Sequence, residues 1–181
     1  MKKKVILVLA IIASAFLFWY FWGGPEKIRK QKTTEQLRAA ANGVDPQERI
    51  RLYTSVIESD PKSAEAYYNR GRAYGEKGDL DKAISDCTKA IELNPQLALA
   101  CYNRGLAYVH KGDYDKAIAD FTKAIELNPQ LALAYNNRGI LFFLKKDYQK
   151  AWSDLKKCQS LGGEVNPDLL KALRQASGRN E

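Results

Sequence analysis

The sequence predicts an all-α fold: an α-solenoid of antiparallel helix pairs, preceded by one N-terminal transmembrane helix. The first observation is a 34-residue repeat, since residues 64–97, 98–131 and 132–165 align with one another without gaps. Within each repeat, apolar residues recur at the spacing of an amphipathic helix. The second observation is an uncharged apolar run, Val5 to Trp22, with basic residues on both sides. Repeats of this length are typical of stacked helical hairpins, none of which buries its apolar face alone.

The composition suits a folded domain and argues against a nucleic-acid partner. Hydrophobic residues make up 45% of the 181 residues and charged residues 28%, which permits a packed core. The net charge is +8, but residues 1–38 hold eight basic and only two acidic side chains. The rest of the chain is therefore almost neutral, whereas a nucleic-acid-binding domain would carry a basic stripe on its folded surface.

Residues 1–24 are predicted to form a single-pass membrane anchor. The run from Val5 to Trp22 would rise about 27 Å as a helix, close to the roughly 30 Å hydrocarbon core. Aromatic rings, which favour the headgroup layer, lie at its far end in Trp19, Tyr20 and Trp22. The alternative is a signal peptide cleaved after Ala13-Ser14-Ala15. Cleavage there would leave an exposed apolar N-terminus, so the uncleaved anchor is the better interpretation.

The charges around the span only weakly favour one orientation. Three lysines precede it, and four basic residues follow it within residues 27–32. Because the charges before the first span usually dominate and long domains translocate regardless of nearby charge, we expect the repeat domain outside the cytoplasm, on the periplasmic side in a bacterium. A cytoplasmic repeat domain is the alternative.

Turn residues recur at fixed points of the repeats. Gly78-Asp79 and Gly112-Asp113 are predicted to join the two helices of a pair, while Asn94-Pro95 and Asn128-Pro129 end the second helix. The first two repeats also share the stretch Lys-Ala-Ile-Glu-Leu-Asn-Pro-Gln-Leu.

These residues resemble the tetratricopeptide repeat (TPR) family, whose pattern sets large, small and turn residues at fixed points. The first unit matches at Tyr67, Gly71, Tyr74, Ala83, Ala90 and Pro95. The second matches at Gly105, Tyr108, Ala117, Phe121, Ala124 and Pro129. The third keeps Tyr135, Gly139, Phe142 and Ala151 but departs at Leu155, Cys158 and Gly163, as a terminal unit would. The glycines are expected to let paired helices approach closely, with the alanines at 83, 117 and 151 facing them.

Further helices are predicted on both sides of the repeats. Residues 25–63 form a juxtamembrane segment and a degenerate unit, whose first helix spans Glu26–Ala41 and whose second contains Ile50, Tyr53 and Val56. Residues 166–181 form a capping helix and a tail that frays from Ser177 onward. Asn166 caps this helix, and the open end of the stack is covered by Leu169, Leu170 and Leu173.

The resemblance also implies a binding surface, because the family lines a concave groove with the first helix of each pair. An amide that both donates and accepts hydrogen bonds recurs on that helix in Asn69, Asn103 and Asn137. The other groove positions are Tyr68, Arg72, Leu99, Tyr102, Leu106, Val109, Leu133, Asn136, Ile140 and Phe143. The lysine and arginine clamp by which some family members hold a C-terminal carboxylate is missing, with only Asn103 conforming. The groove therefore favours an amphipathic or apolar partner segment.

The recurring charges and cysteines are predicted to be structural. Ion pairs between paired helices, worth about 0–1 kcal/mol each if exposed, are expected from Arg70, Arg104 and Arg138 with Asp86, Asp120 and Asp154. Lys82, Lys116 and Lys150 are expected to be solvated. Cys87, Cys101 and Cys158 replace core residues and are expected to be buried thiols; a disulfide between the first two is the alternative outside the cytoplasm.

No sequence motif indicates an enzyme. His110 is the single histidine and stands in no catalytic motif, the glycines follow the repeat period, and the cysteines are not clustered. Neither a metal, a cofactor nor a small-molecule substrate is therefore predicted.

The anchor and the repeats together predict a membrane-anchored protein–protein interaction scaffold, acting as a subunit or assembly factor of a membrane complex. The alternative is a membrane-anchored chaperone or quality-control factor that binds transient client proteins. The apolar groove also leaves open a contact with another copy of the chain.

Overall fold

Eight α-helices make up residues 45–178, the part of the chain that the computed structural model describes, and no strand occurs among these residues. The helices are α1 (Pro46–Ser59), α2 (Ala64–Glu76), α3 (Leu80–Leu93), α4 (Ala98–Lys111), α5 (Tyr114–Leu127), α6 (Ala132–Leu144), α7 (Tyr148–Ser160) and α8 (Pro167–Ser177). The predicted anchor at residues 1–24, the predicted helix at Glu26–Ala41 and residues 179–181 of the tail lie outside the described residues. Within residues 45–178, no helix is long and apolar enough to cross a membrane.

Three helix pairs repeat along the chain: α2 with α3, α4 with α5, and α6 with α7. A turn of two or three residues joins the helices of each pair, so they lie antiparallel to each other. The second helix of one pair contacts the first helix of the next, while α1 lies against α2 and α8 against α7. The predicted solenoid of three units, with a further helix at each end, is confirmed for the described residues.

The turns inside the pairs need one residue in the left-handed backbone region. In the first two units this residue is Gly78 or Gly112, with φ of 81° and 80°. Glycine adopts this conformation without steric cost. The third unit has Lys146 at this position, with φ of 62°. The third unit therefore departs from the repeat pattern in its turn as well as in its core.

The paired helices approach closely at the repeated glycines, and in the second and third units a larger residue than the predicted alanine lies nearest to the glycine. A Cβ atom on Gly105 would lie 2.7 Å from the Phe121 ring, and one on Gly139 would lie 3.0 Å from Leu155. The large residue of the second helix fills this space, rather than the alanine that the sequence predicted. At Gly71 the nearest atom is the Cys87 sulfur at 3.0 Å, with the Ala83 carbonyl oxygen at 3.2 Å.

The predicted ion-pair ladder between paired helices is present and more buried than expected. Arg104 donates to both carboxylate oxygens of Asp120 at 2.8 and 2.7 Å, and its remaining nitrogen Nη1 donates to Thr88 of the preceding unit at 3.0 Å. The same three-residue pattern holds in Arg70–Asp86–Thr54 and Arg138–Asp154–Thr122. The aspartate side chains are at most 9% exposed. Because a buried, bidentate pair leaves an uncompensated charge when one partner is lost, breaking any of these pairs should cost more than breaking the predicted surface bridge.

The last helix closes the end of the stack as predicted. Asn166 accepts a hydrogen bond from the Asp168 N–H at 2.8 Å. Leu173 is fully buried with Trp152 and Leu155, and Leu169 and Leu170 pack against this cluster. Ser177, where the sequence predicted fraying, is the last helical residue, and its hydroxyl accepts a hydrogen bond from the Trp152 indole at 3.1 Å.

Candidate functional site

The predicted groove residues all lie on the first helices of the pairs. We define the groove face as eleven of the thirteen predicted positions, leaving out Val109 and Phe143, which pack against core clusters. Those on α2 are Tyr68, Asn69 and Arg72; those on α4 are Leu99, Tyr102, Asn103 and Leu106; those on α6 are Leu133, Asn136, Asn137 and Ile140. α2 contacts α4 directly, and the Asn137 amide of α6 donates to the Tyr102 hydroxyl of α4 at 3.0 Å. The three helices therefore carry one continuous surface.

The three repeated asparagines do not share one role. Asn69 is buried, and its amide nitrogen donates to the Glu65 carbonyl of its own helix at 2.8 Å. The Asn137 amide nitrogen donates a hydrogen bond to the Tyr102 hydroxyl. The Asn103 side chain lies within hydrogen-bonding reach of the Tyr68 hydroxyl, as Asn137 does of Tyr102 one unit later. Among residues 45–178, the Asn136 amide oxygen is buried without a hydrogen-bond partner. Because such a group is costly to leave unpaired, Asn136 marks where a ligand would add a hydrogen bond.

A pocket of about 210 Å³ opens between α2, α3 and α4. Its apolar lining comes from Gly71, Gly75, Leu80, Ala83, Leu106 and Ala107, and its polar lining from Arg72, Glu76, Asn103 and His110. Arg72, Asn103 and Leu106 were predicted from the sequence. Glu76 and His110 were not predicted. Glu76 lies four residues after Arg72, and His110 lies four residues after Leu106, so each is on the same side of its helix as a predicted residue.

The α6 end of the groove face is apolar and open. The side chain of Leu133 is 58% exposed, and that of Leu99, one unit earlier, is 41% exposed. Leu144 is 53% exposed and was not among the predicted groove positions, although it lies four residues after Ile140 and therefore on the same side of the helix. Tyr114 on α5 is a fourth large exposed apolar residue. Exposed aliphatic side chains thus recur along α4 and α6.

Burial raises the pKa of both groove tyrosines. At Tyr68 the positive charge of Arg72 partly offsets this effect. At Tyr102 the hydrogen bond from Asn137 partly offsets it. A phenol is neutral at pH 7 even without this shift, so both hydroxyls can donate as well as accept a hydrogen bond.

The three cysteines are free, buried thiols, as predicted. The alternative, a disulfide between Cys87 and Cys101, is not formed in the structure. Burial raises the pKa of the Cys87 thiol to about 12, so it carries almost no thiolate at neutral pH. Within residues 45–178, no group of three or more His, Cys, Asp or Glu side chains is arranged to hold a metal ion.

A stack of helical hairpins whose first helices carry a shared, partly apolar face defines a helical-repeat protein. Tetratricopeptide repeat models match residues 64–97 and 98–131, and a further tetratricopeptide repeat model matches residues 121–153. The TPR domain of Arabidopsis OM64 is 30% identical, with a TM-score of 0.59; the match covers 62% of this chain and 93% of that domain. The chain belongs to the tetratricopeptide repeat family.

Other solved structures show the same fold. A crystal structure of MamA is 28% identical with a TM-score of 0.67, and the match covers 74% of this chain and 78% of MamA. The first TPR domain of Spaghetti, bound to the HSP90 peptide SRMEEVD, is 27% identical with a TM-score of 0.58; the match covers 66% of this chain and 94% of that domain. A comparison with curated proteins gave no match.

Proposed function

We propose that this protein is a membrane-anchored scaffold that binds another protein through its groove face, as a subunit or assembly factor of a membrane complex. The observation that carries the proposal is the pair of exposed leucines, Leu99 and Leu133, in equivalent positions of α4 and α6. Solvated helix faces seldom repeat a large aliphatic residue in this way, and apolar patches of this kind mark protein contacts.

Two further features support a protein ligand. The unpaired amide oxygen of Asn136 can accept a hydrogen bond from a backbone N–H of a bound peptide. The Spaghetti domain, which has a similar structure, holds a peptide. An amphipathic segment would place its apolar side chains on the leucines and its backbone or polar groups near the amides.

The membrane attachment is proposed from the sequence. The apolar run from Val5 to Trp22 acts as the anchor, and the repeat domain lies outside the cytoplasm. Full-length protein should then require detergent for extraction and resist a high-salt wash, because salt weakens only electrostatic attachment. A reporter that is active only outside the cytoplasm, fused after Glu181, should be active. Recovery of the full-length protein in the high-salt wash would refute the anchor. An inactive reporter, together with activity of a second reporter that works only in the cytoplasm, would reverse the orientation.

The groove is tested by Leu133→Glu, which places on α6 the residue that α2 has at the equivalent position, Glu65. We expect at least a tenfold loss of proteins that co-purify with full-length protein in mild detergent, measured by quantitative mass spectrometry, since central apolar contacts contribute about 2 kcal/mol or more to binding. Tyr114→Glu is the matched control, because Tyr114 is an exposed apolar residue on α5, away from the groove face. If Leu133→Glu and the control retain the same partners as the wild type, the groove face is not the binding surface.

A further inference from the structure

The second helix of the third unit, α7, differs in charge from its counterparts α3 and α5. Helices α3 and α5 each contain two lysines and three acidic residues, which gives each helix a net charge of −1. Helix α7 contains three lysines and one aspartate, which gives it a net charge of +2. The solenoid therefore turns positive on the second helix of its last pair.

Three positions on α7 account for this difference. Gln149, Lys156 and Ser160 lie seven and four residues apart, so they share one side of the helix. Each is more positive by one charge than the residues that it replaces on α3 and α5. In the same order, the replaced residues are Asp81 and Asp115, Thr88 and Thr122, and Glu92 and Glu126.

The end of the stack explains only part of this change. On α5, Asp115 and Thr122 each meet a basic residue of the following unit, so their loss on α7 follows from its place in the last pair. Glu126 instead pairs with Lys123 of its own helix at 3.1 Å, and that contact needs no following unit. Helix α7 keeps the lysine, as Lys157, without the glutamate. A terminal unit needs a polar outer surface, but not one with a positive charge.

The capping helix α8 adds two further cations beside α7. We define the basic face as Lys156 and Lys157 of α7 together with Lys171 and Arg174 of α8. All four residues are exposed, and within residues 45–178 none of them forms an ion pair. The two helices meet at Trp152, because Lys156 lies 5.7 Å from the centre of its ring and its indole donates to Ser177, one turn after Arg174.

The nearby carboxylates leave this charge uncompensated. Asp154 of α7 is paired with Arg138 at 2.7 Å. Asp168 lies in the first turn of α8, and Glu164 precedes the helix. The C-terminal half of α7 and the last turns of α8 therefore present positive charge alone to the solvent.

The composition of the basic face fits an anionic lipid surface better than a protein. Protein interfaces are enriched in aromatic residues and depleted of lysine. Among residues 45–178, the large exposed apolar side chains lie on α4, α5 and α6, and none lies on α7 or α8. Lysine carries a point charge on a flexible stem, which suits attraction to a layer of mobile headgroups rather than a fixed hydrogen-bonding geometry.

We propose that the basic face lies against a membrane surface that carries anionic lipid headgroups. The inference rests on the proposed membrane anchor, which holds the repeat domain near such a surface and so raises its effective concentration there. The groove face takes no part in this contact, because none of its eleven residues lies on α7 or α8. Binding of a partner and contact with the lipid can therefore occur together.

The test places full-length protein in lipid nanodiscs made of phosphatidylcholine alone or of phosphatidylcholine mixed with phosphatidylglycerol. A water-soluble amine reagent labels the lysines, and mass spectrometry measures the rate at each one. At low ionic strength, we expect Lys156, Lys157 and Lys171 to be labelled at least about threefold more slowly in the anionic discs. High salt should remove this difference, because it screens the attraction. Lys89 and Lys123 are internal controls, since they occupy the position of Lys157 on α3 and α5 and are likewise exposed.

A variant that restores the repeat assigns the effect to the basic face. Lys156→Thr combined with Ser160→Glu installs the residues of α3 and α5 and makes α7 neutral. We expect the protection of Lys171 in anionic discs to be lost. Lys89→Glu is the matched control, because it changes the net charge by the same amount on α3, and it should leave that protection unchanged. Circular dichroism checks that both variants keep their helices.

The outcomes separate this inference from the anchor on which it rests. Equal labelling in both kinds of disc, or protection that survives the double substitution, would overturn the lipid contact and leave the anchor in place. A partner that is an acidic protein or a nucleic acid would give this first result. Protein that leaves the neutral discs at high salt, yet shows the expected protection in anionic discs at low salt, would confirm the basic face and refute the anchor.

Discussion

The positions between paired helices and the positions on the groove face differ in how closely they repeat. Between the helices, the bidentate arginine–aspartate pair and the threonine behind it occur in all three units. On the groove face, one position holds Arg72, Leu106 and Ile140 in turn, and the position four residues after it, on the same side of each helix, holds Glu76, His110 and Leu144. The three arginines of the first set lie on the same helices as the groove positions and differ from them only in which side of the helix they face.

This difference separates residues that build the solenoid from residues that are proposed to bind its partner. A contact that recurs in each unit stabilises the hairpin or its stacking on the next one, which every unit needs. The position that holds Arg72 on α2 and Ile140 on α6 changes from charged to aliphatic, so the packing of the solenoid does not fix its residue type. Substitutions between the helices should therefore lower stability, whereas substitutions on the groove face should alter binding and leave stability intact.

Gly105→Leu should give the largest loss of stability. Even a Cβ atom would lie 2.7 Å from the Phe121 ring, so the leucine side chain forces α4 and α5 apart. We expect a loss of about 3 kcal/mol or more, at the upper end of the usual cost of overpacking, and a melting temperature about 10 °C lower by circular dichroism. Gly75→Ala is the control on α2: its Cβ would lie 3.9 Å from Ala83, and it should stabilise the helix by about 0.5–1 kcal/mol. Equal melting temperatures for both variants would show that the spacing at Gly105 is not tight.

Asp120→Asn should have the next largest effect. The variant leaves the Arg104 guanidinium, whose side chain is 22% exposed, without its carboxylate. Because this charge is only partly buried, we expect a loss of about 2–3 kcal/mol, below the cost of breaking a fully buried pair. Glu126→Gln breaks an exposed pair with Lys123 on the same helix and should cost less than about 1 kcal/mol. Urea unfolding measures both. Similar losses would mean that the repeated pair stabilises no more than a surface bridge.

The sequence predicts the positions that repeat far better than those that do not. Periodicity located the helix pairs, because it rests on local spacing, and the resemblance assigned the proposed groove positions to the first helix of each pair. The Arg49–Glu76 contact joins residues 27 positions apart, and nothing in the repeat pattern indicates it. The hydrogen bonds of Asn69 and Asn137 likewise depend on their neighbours. The Asn69 amide donates to a carbonyl of its own helix, and the Asn137 amide donates to the Tyr102 hydroxyl. Identical residues at equivalent positions thus differ in their freedom to bind.

Leu133→Glu should have the smallest effect on stability. With 58% of the residue exposed, little apolar area leaves a buried environment, and glutamate is a good helix former near the start of α6, where its charge favours the helix dipole. We expect the free energy of urea unfolding to change by less than about 0.5 kcal/mol, although the same substitution is proposed to remove bound partners. A loss of 2 kcal/mol or more would show that Leu133 supports the fold, and any loss of partners would then reflect unfolding. Unchanged stability together with lost partners would place the function of this face in binding alone.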